Sequence, residues 1–326
     1  MKKILLSKNK EFYKANMHCH STKSDGTMSV EEIKEYYKAN GYSVIAFSDA
    51  EHLIDNSYLN DDEFLAITAC EICIKDINNL SPTSKQCHFN LFAKDPKNID
   101  TPCYNLLYDH YVNDNIKDLI VHTDGDYTRD YSPEGVNEII KIATEKGFLV
   151  SYNHPRWSLE NSSDYLDYKG LWAIEVYNHA CHCGGLYDYD INVYEDFLRS
   201  GEKIACIYGD DNHNITNACG GYIMINAENL QYNTIINALE KHDFYASTGP
   251  VIKNLYIEDN TAYITFEKGE YVVMSTKGRR VDKKFAENPD GENTVEFIIM
   301  PDDGYIRFDV VDIYGKRANT CAYFLI

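Results

Sequence analysis

Short apolar runs and helix-period stretches alternate along the first 250 or so residues of the chain. Ser29-Val30-Glu31-Glu32 reads as a capping box, and Val30, Ile33 and Tyr37 define one helical face that ends at Gly41. Val44-Ile45-Ala46-Phe47 then reads as a buried strand, and 64–74 and 87–93 are strand-like. Ser132 followed by Pro133 opens a second helix through Ile139, Ile140 and Ala143, stopped at Gly147. Strands follow over 148–152 and 171–177, a helix over 193–198 up to Gly201, a strand over 203–208, and a last helix over about 233–241. This alternation predicts a parallel α/β arrangement.

After Thr248-Gly249-Pro250 the pattern changes to short β-rich runs with no helix between them, among them Tyr263-Ile264-Thr265-Phe266, Tyr271-Val272-Val273-Met274 and Ile306-Arg307-Phe308-Asp309-Val310-Val311. Pro289-Asp290-Gly291 and Asp302-Asp303-Gly304 are turn signals that separate such runs. The expectation is two domains, 1–248 and 249–326, the second a small antiparallel β-sandwich. The stretch 95–131, rich in Tyr, Asn and Asp, reads as a lid inserted over the mouth of the first.

Composition narrows the function classes. The chain has 326 residues, 44% of them apolar, enough for a barrel of roughly 250 residues plus an appendage. Its net charge of -20 disfavours a face that tracks duplex nucleic acid, and Lys277-Gly278-Arg279-Arg280 is short and isolated. An anionic small molecule remains admissible, because bound cations invert the local potential. No apolar run approaches the length of a membrane span, and the apolar stretch after Lys3 is too short for an export signal. The ten cysteines are therefore expected as reduced thiols in a cytoplasm, and Cys70 and Cys73 are not expected to pair. Oligomeric state is not legible.

The candidate chemistry lies at strand ends. His18-Cys19-His20 puts two imidazoles on one face of an extended segment, and Asp25 returns from the following turn with a hard oxygen ligand. Asp49, Glu51 and His52 follow the second strand, Glu71 lies within the third and His88 opens the next. His154, Glu175, Asp211 and His213 sit at or after later strands. Strand ends in an α/β barrel converge on one mouth. So many imidazoles and carboxylates there require cations to hold them together.

These stretches resemble the polymerase and histidinol phosphatase (PHP) family of metal-dependent hydrolases. The matching segments are His18-Cys19-His20-Ser21 with Ser24-Asp25-Gly26, Phe47-Ser48-Asp49, Ala69-Cys70-Glu71-Ile72, Cys87-His88, Asn153-His154-Pro155, Glu175-Val176-Tyr177-Asn178 and Gly209-Asp210-Asp211-Asn212-His213, in the family's order. The end of the chain, through Gly315-Lys316-Arg317-Ala318, more loosely resembles the carbaryl-hydrolase-like branch. The resemblance implies a distorted (βα)7 barrel with two or three divalent ions (zinc, manganese or iron). It places His18, His20 and Asp211 on one metal and Glu71 as a bridge to a second held by His88 and His154. Asp25 and His213 help hold a third, and Asp49, His52 and Glu175 are further candidates.

Family members carry a histidine directly after the aspartate of the second strand motif, where this chain has Ala50. Three explanations stand open: a two-metal site, Glu51 or His52 taking the role, or Ala50 as an engineered replacement of a histidine. The expected activity is hydrolysis of a small phosphomonoester or phosphodiester by metal-activated water. The alternatives are an amide, ester or carbamate substrate at the same site, or a metal-binding protein without turnover. Asp25 and Glu71 are the expected catalytic carboxylates, His179 a pocket acid, and Arg156 a bidentate receptor for an anionic group. Asn178-His179-Ala180-Cys181-His182-Cys183 is a weaker candidate for a separate zinc site.

Overall fold

The helix signals act where they stand. In the computed structural model, which describes residues 2–76, 81 and 83–325, Ser29 accepts the Glu32 N–H and Glu32 accepts the Ser29 N–H at the start of α1 (Val30–Ala39). Ser132 caps α2 (Pro133–Glu145), whose face of Val136, Ile139, Ile140 and Ala143 is buried. The remaining helices are α3 (Ser162–Tyr165), α4 (His179–Cys183), α5 (Ile191–Ser200), which ends on Gly201 at φ 101°, and α6 (Tyr232–Glu240). Among the described residues no helix is long and apolar enough to cross a membrane.

The first ten strands are β1 (Lys2–Leu6), β2 (Glu11–Asn16), β3 (Val44–Phe47), β4 (Leu65–Lys75), β5 (Gln86–Ala93), β6 (Phe148–Asn153), β7 (Ala173–Asn178), β8 (Ala205–Gly209), β9 (Tyr222–Ala227) and β10 (Phe244–Ser247). One sheet contains β2-β3-β4-β5-β6-β7-β8 in that spatial order. The pairs β2/β3, β3/β4, β6/β7 and β7/β8 are parallel, but β5 is antiparallel to both its neighbours. The all-parallel expectation is corrected here. Only ten residues separate β4 from β5, fewer than a parallel crossover needs. Beyond the ends of β8 and β2 the backbones meet: Asp211 N–H donates to His18 O (2.9 Å) and His20 N–H to Asn212 O (3.1 Å). Among the described residues no ladder joins β8 to β2.

On its other side β2 pairs with β9, β9 with β10, and the sheet runs on into the C-terminal third. That third holds β11 (Val251–Glu258), β12 (Thr261–Glu267), β13 (Tyr271–Thr276), β14 (Val281–Phe285), β15 (Asn293–Ile298), β16 (Tyr305–Val311), β17 (Arg317–Thr320) and β18 (Tyr323–Phe324). The layer β14-β13-β16-β17 continues through β10, where Tyr245 pairs with Thr320. A second sheet, β1-β11-β12-β15, packs on it over a core of Leu6, Leu255, Ile264, Phe266, Met274, Phe297 and Phe308. Burying Leu6 completely contributes about 1.5–3 kcal/mol. β10 serves both cores by alternation: Phe244 and Ala246 face the large one, Tyr245 the small one. The boundary expected at 248/249 falls at the turn from β10 into β11, with hydrogen-bonded sheet continuing across it.

The stretch 95–131 carries two short 3-10 turns, Leu106–Tyr111 and Asp114–Leu119. It is tied to the body at Asn113, whose N–H donates to Lys23 O and whose amide donates to Thr22 O, and at the buried Arg129.

Candidate metal centre

The site is built where the two ends of the β2–β8 sheet meet. Asn16, the last residue of β2, accepts the N–H groups of both His18 and Asp210 and donates to Asn212. Tyr37 on α1 donates to Asp210 at 2.7 Å from beneath. Asp49 accepts from Ser21 N–H and from the Ser21 and Ser24 hydroxyls, which shapes the turn that returns Asp25. Gly209 is required here, because a Cβ would lie 2.4 Å from Glu175 Oε1 and 2.7 Å from His18 Cβ.

Three overlapping groups result: His18, Glu71 and His154; His18, His20 and Asp211; His20, Asp25 and His213. Within each group the ligand atoms lie within 4.8 Å of one another. His18 Nε2 is 3.3 Å from His20 Nε2, Glu71 Oε1 and Asp211 Oδ1. His154 Nε2 and His88 Nδ1 are each 3.2 Å from Glu71 Oε1, so one carboxylate oxygen serves three imidazoles. Two nitrogens held at 2.0–2.1 Å on one tetrahedral ion stand about 3.4 Å apart. The spacings therefore match edges of coordination polyhedra. The donor set fits divalent ions, and His88 Nε2 is buried with no hydrogen-bond partner. Three site residues also have left-handed backbone: Glu51 (φ 69°), His154 (φ 26°) and Asp211 (φ 52°). Non-glycine residues adopt this at a cost of about 1–3 kcal/mol each, and such strain concentrates at functional sites.

The electrostatics agree. Burial alone would lower His18, but Asp211, Glu175 and Glu71 outweigh it and push it up to about 10. His20 and His88 are likewise raised well above the usual imidazole range against their burial, His20 by Asp211, Asp25 and Glu71. Glu71 is held well below the carboxylate range by His18, His88 and His154 despite its burial. The carboxylates demand positive charge at this point.

A second layer orients these groups. Glu175 Oε1 is 2.9 Å from His18 Nδ1, and its Oε2 accepts His154 N–H and the Asn178 amide. Asn178 also donates to Asp211 Oδ2 and Asn153 to Glu71 Oε1. Asn16, Asn153 and Asn178 each end a strand; Asn153 and Asn178 stood in the matching segments without a role, and Asn16 was not singled out. A buried asparagine closing an apolar run was the signal.

Other expected residues stand differently. Glu51 faces inward but is bound by Arg129 and by Cys73 N–H. His52 is buried, with Nδ1 2.7 Å from Ala50 O, and falls in none of the three groups. Arg156 does not line the cavity over the metal centre; it is 3.6 Å from Asp190 and lies over the Tyr187 ring. His179 opens on a separate cavity, its Nδ1 2.8 Å from Tyr177 Oη. His179 and Cys183 approach to 3.5 Å, but among the described residues no third ligand joins them. All described cysteines are free.

The cavity above the centre measures about 250 Å³. Ala50, Cys73, Tyr111 and Trp157 wall it beside the ligand groups. Trp157 meets His154 and His88 edge-on, with ring centroids 4.9 and 5.3 Å away. Tyr111 comes from the 95–131 stretch.

A mixed α/β sheet carrying a clustered histidine–carboxylate centre defines the class to which this chain conforms. No protein-family model matches it, nor does any curated protein sequence. Solved structures similar to it include a two-domain protein with a predicted PHP-like metal-dependent phosphoesterase from Bacteroides vulgatus (14% identity, 98% of this chain, 96% of that one, TM-score 0.46). A provisionally described metal-dependent phosphoesterase from Bifidobacterium adolescentis is 16% identical over 69% of this chain and 94% of its own, TM-score 0.39. An amidohydrolase from Chromobacterium violaceum with bound sulfate and no metal is 14% identical over 62% and 88%, TM-score 0.39. The structures this chain is similar to are thus PHP-like phosphoesterases and an amidohydrolase, and none of the three is described as carbaryl-hydrolase-like. At these identities and TM-scores the likenesses carry no inference about activity.

Proposed function

We propose that this chain is a metal-dependent hydrolase of the PHP type, with a barrel-like site, acting on a small anionic phosphomonoester or phosphodiester. The observation that carries the reading is the set of three interlocking ligand groups with 3.2–3.3 Å spacings around His18 Nε2 and Glu71 Oε1. His18, His20 and Asp211 would hold one ion, and Glu71, His88 and His154 a second. Asp25 and His213 mark a third position that lacks a donor where Ala50 stands. Ions bound there supply a water of lowered pKa and an electrophilic clamp on substrate oxygens.

The chain's own residues do the rest. Glu175 fixes the His18 ring, Asn153 and Asn178 aim the carboxylates, and Trp157 and Tyr111 exclude bulk water. Asp25, between His20 and His213, holds a proton-bearing pair at the rim (3.2 and 3.4 Å) suited to serve a leaving group. The substrate in this reading is a small molecule, which the 250 Å³ cavity supports, in a cytoplasmic setting with no nucleic-acid duplex or membrane as partner.

Ala50 favours a second reading, a protein that binds metal without turnover. The test is hydrolysis of p-nitrophenyl phosphate, bis-p-nitrophenyl phosphate and p-nitrophenyl acetate by manganese- or zinc-loaded protein, beside Asp211→Asn. Phosphate-ester turnover that falls at least 100-fold in the variant supports the proposal. Turnover of the acetate alone moves the substrate to a carbonyl. Metal binding with no turnover establishes the second reading, and no metal binding overturns both.

A further inference from the structure

A second cavity stands apart from the metal cavity. It measures about 590 Å³, lies where β7 and α4 meet the turn between β16 and β17, and shares no lining residue with the metal cavity. Its rim carries Lys316 and Arg317, and among the described residues neither forms an ion pair. In a chain of net charge -20, two cations beside a cavity with no ion pair of their own are unusual. Asp188, which lines the same cavity, is paired with His182 at 2.6 Å. The Arg317 guanidinium lies 5.4 Å over the Tyr189 ring.

The walls are aromatic and fixed. Tyr189 and Tyr208 both donate to Asn319 Oδ1 on β17, and the rings of Tyr177 and Tyr208 stand 5.3 Å apart. Tyr177 is also held by His179. Gly220 is required beside them, because a Cβ there would lie 2.0 Å from the His179 ring. The volume falls within the usual range for small-molecule sites of about 300–1,000 Å³.

We propose that this cavity is a second ligand site, separate from the metal centre, that takes a small molecule joining a flat ring to a phosphate or phosphonate group. Lys316 and Arg317 receive the acid group, and the ring lies against the tyrosine walls. The occupant touches β7 and the β16–β17 turn at once, and so braces the first part of the chain against the C-terminal sheets. This goes beyond the hydrolase reading and does not rest on it.

Calorimetric titration of the metal-loaded full chain with phenylphosphonate tests the site, with methylphosphonate and benzyl alcohol as comparison arms. The Lys316→Ala/Arg317→Ala double variant is expected to weaken one phenylphosphonate binding event at least tenfold and leave metal content unchanged. Lys316→Met alone, on an exposed turn, shifts the same event about threefold. Methylphosphonate binds this site at least fivefold more weakly, and benzyl alcohol does not bind. Identical phenylphosphonate isotherms for wild type and double variant, including no binding by either, overturn the proposal. Equal binding of methylphosphonate removes the ring from it, and equal binding of benzyl alcohol removes the anion. Any event at the metal centre survives the double variant, so failure of one site is distinguishable from failure of the other.

Discussion

Arg129 and Glu51 form a buried ion pair, Nη2 to Oε2 at 2.7 Å, directly beside Ala50 in the wall of the metal cavity. Arg129 donates in addition to Cys103 O and Cys73 O, so the pair ties the 95–131 stretch to β4. The Glu51 carboxylate also accepts Cys73 N–H at 2.9 Å.

Arg129→Ala leaves Glu51 buried without its partner and should destabilise the protein by about 3–5 kcal/mol. Urea unfolding checks this. Replacing both members as Glu51→Gln/Arg129→Met should recover more than half of the loss, since no buried charge then remains. A single variant within 1 kcal/mol of wild type would show that water reaches Glu51.

Ala50→His places an imidazole in the wall of the cavity that Asp25 and His213 also line. Metal analysis after equilibrium dialysis should rise from two ions per chain to three, and ester turnover should increase. Unchanged stoichiometry would mean that the third position is not formed by these residues.

Glu175→Gln keeps the shape behind His18 but removes the charge that orients its ring. Metal affinity should weaken about 10–100-fold with the fold retained. Competition against a chromophoric chelator measures it. Unaltered affinity would remove Glu175 from the support of the centre.

His242, which follows α6, is lowered by burial to about 4, against 6.5 for a free imidazole. The unfolded chain binds the extra proton between these values, so stability contributed by the neutral ring is present above pH 6.5 and lost as pH falls toward 4. The loss is on the order of 2 kcal/mol after allowance for partial exposure. His242 has φ 58°, which asparagine tolerates, so His242→Asn should flatten this part of the pH–stability curve. A curve as steep as that of wild type would place the titrating group elsewhere.

Elements with local signals were readable: α1 and α2 begin at their caps, and β3 covers the apolar run 44–47. The reversal of β5 was not, because strand direction is set by partners rather than by side-chain pattern. β9 and β10 were not read, although Tyr222-Ile223-Met224-Ile225 and Phe244-Tyr245-Ala246 are apolar runs; in both, side chains alternate between two cores. At the site, the histidines and carboxylates declared themselves by type and place. Asn16, Tyr37 and Asn178 did not, since their roles depend on hydrogen bonds to residues more than twenty positions away in most cases. His18 and His20 came together from just beyond β2, not from within it.

β1 hydrogen-bonds to β11, where Leu6 faces Leu255. During synthesis this first strand emerges about 250 residues before its partner, and its two leucines cannot leave water until the C-terminal sheets are made. The two lysines at its start, Lys2 and Lys3, keep the waiting segment from adding to other nascent edges. Closure of the small core is therefore a late event in the birth of this protein, and slowing elongation before residue 251 should lengthen the time that Lys2–Leu6 stays open to a protease.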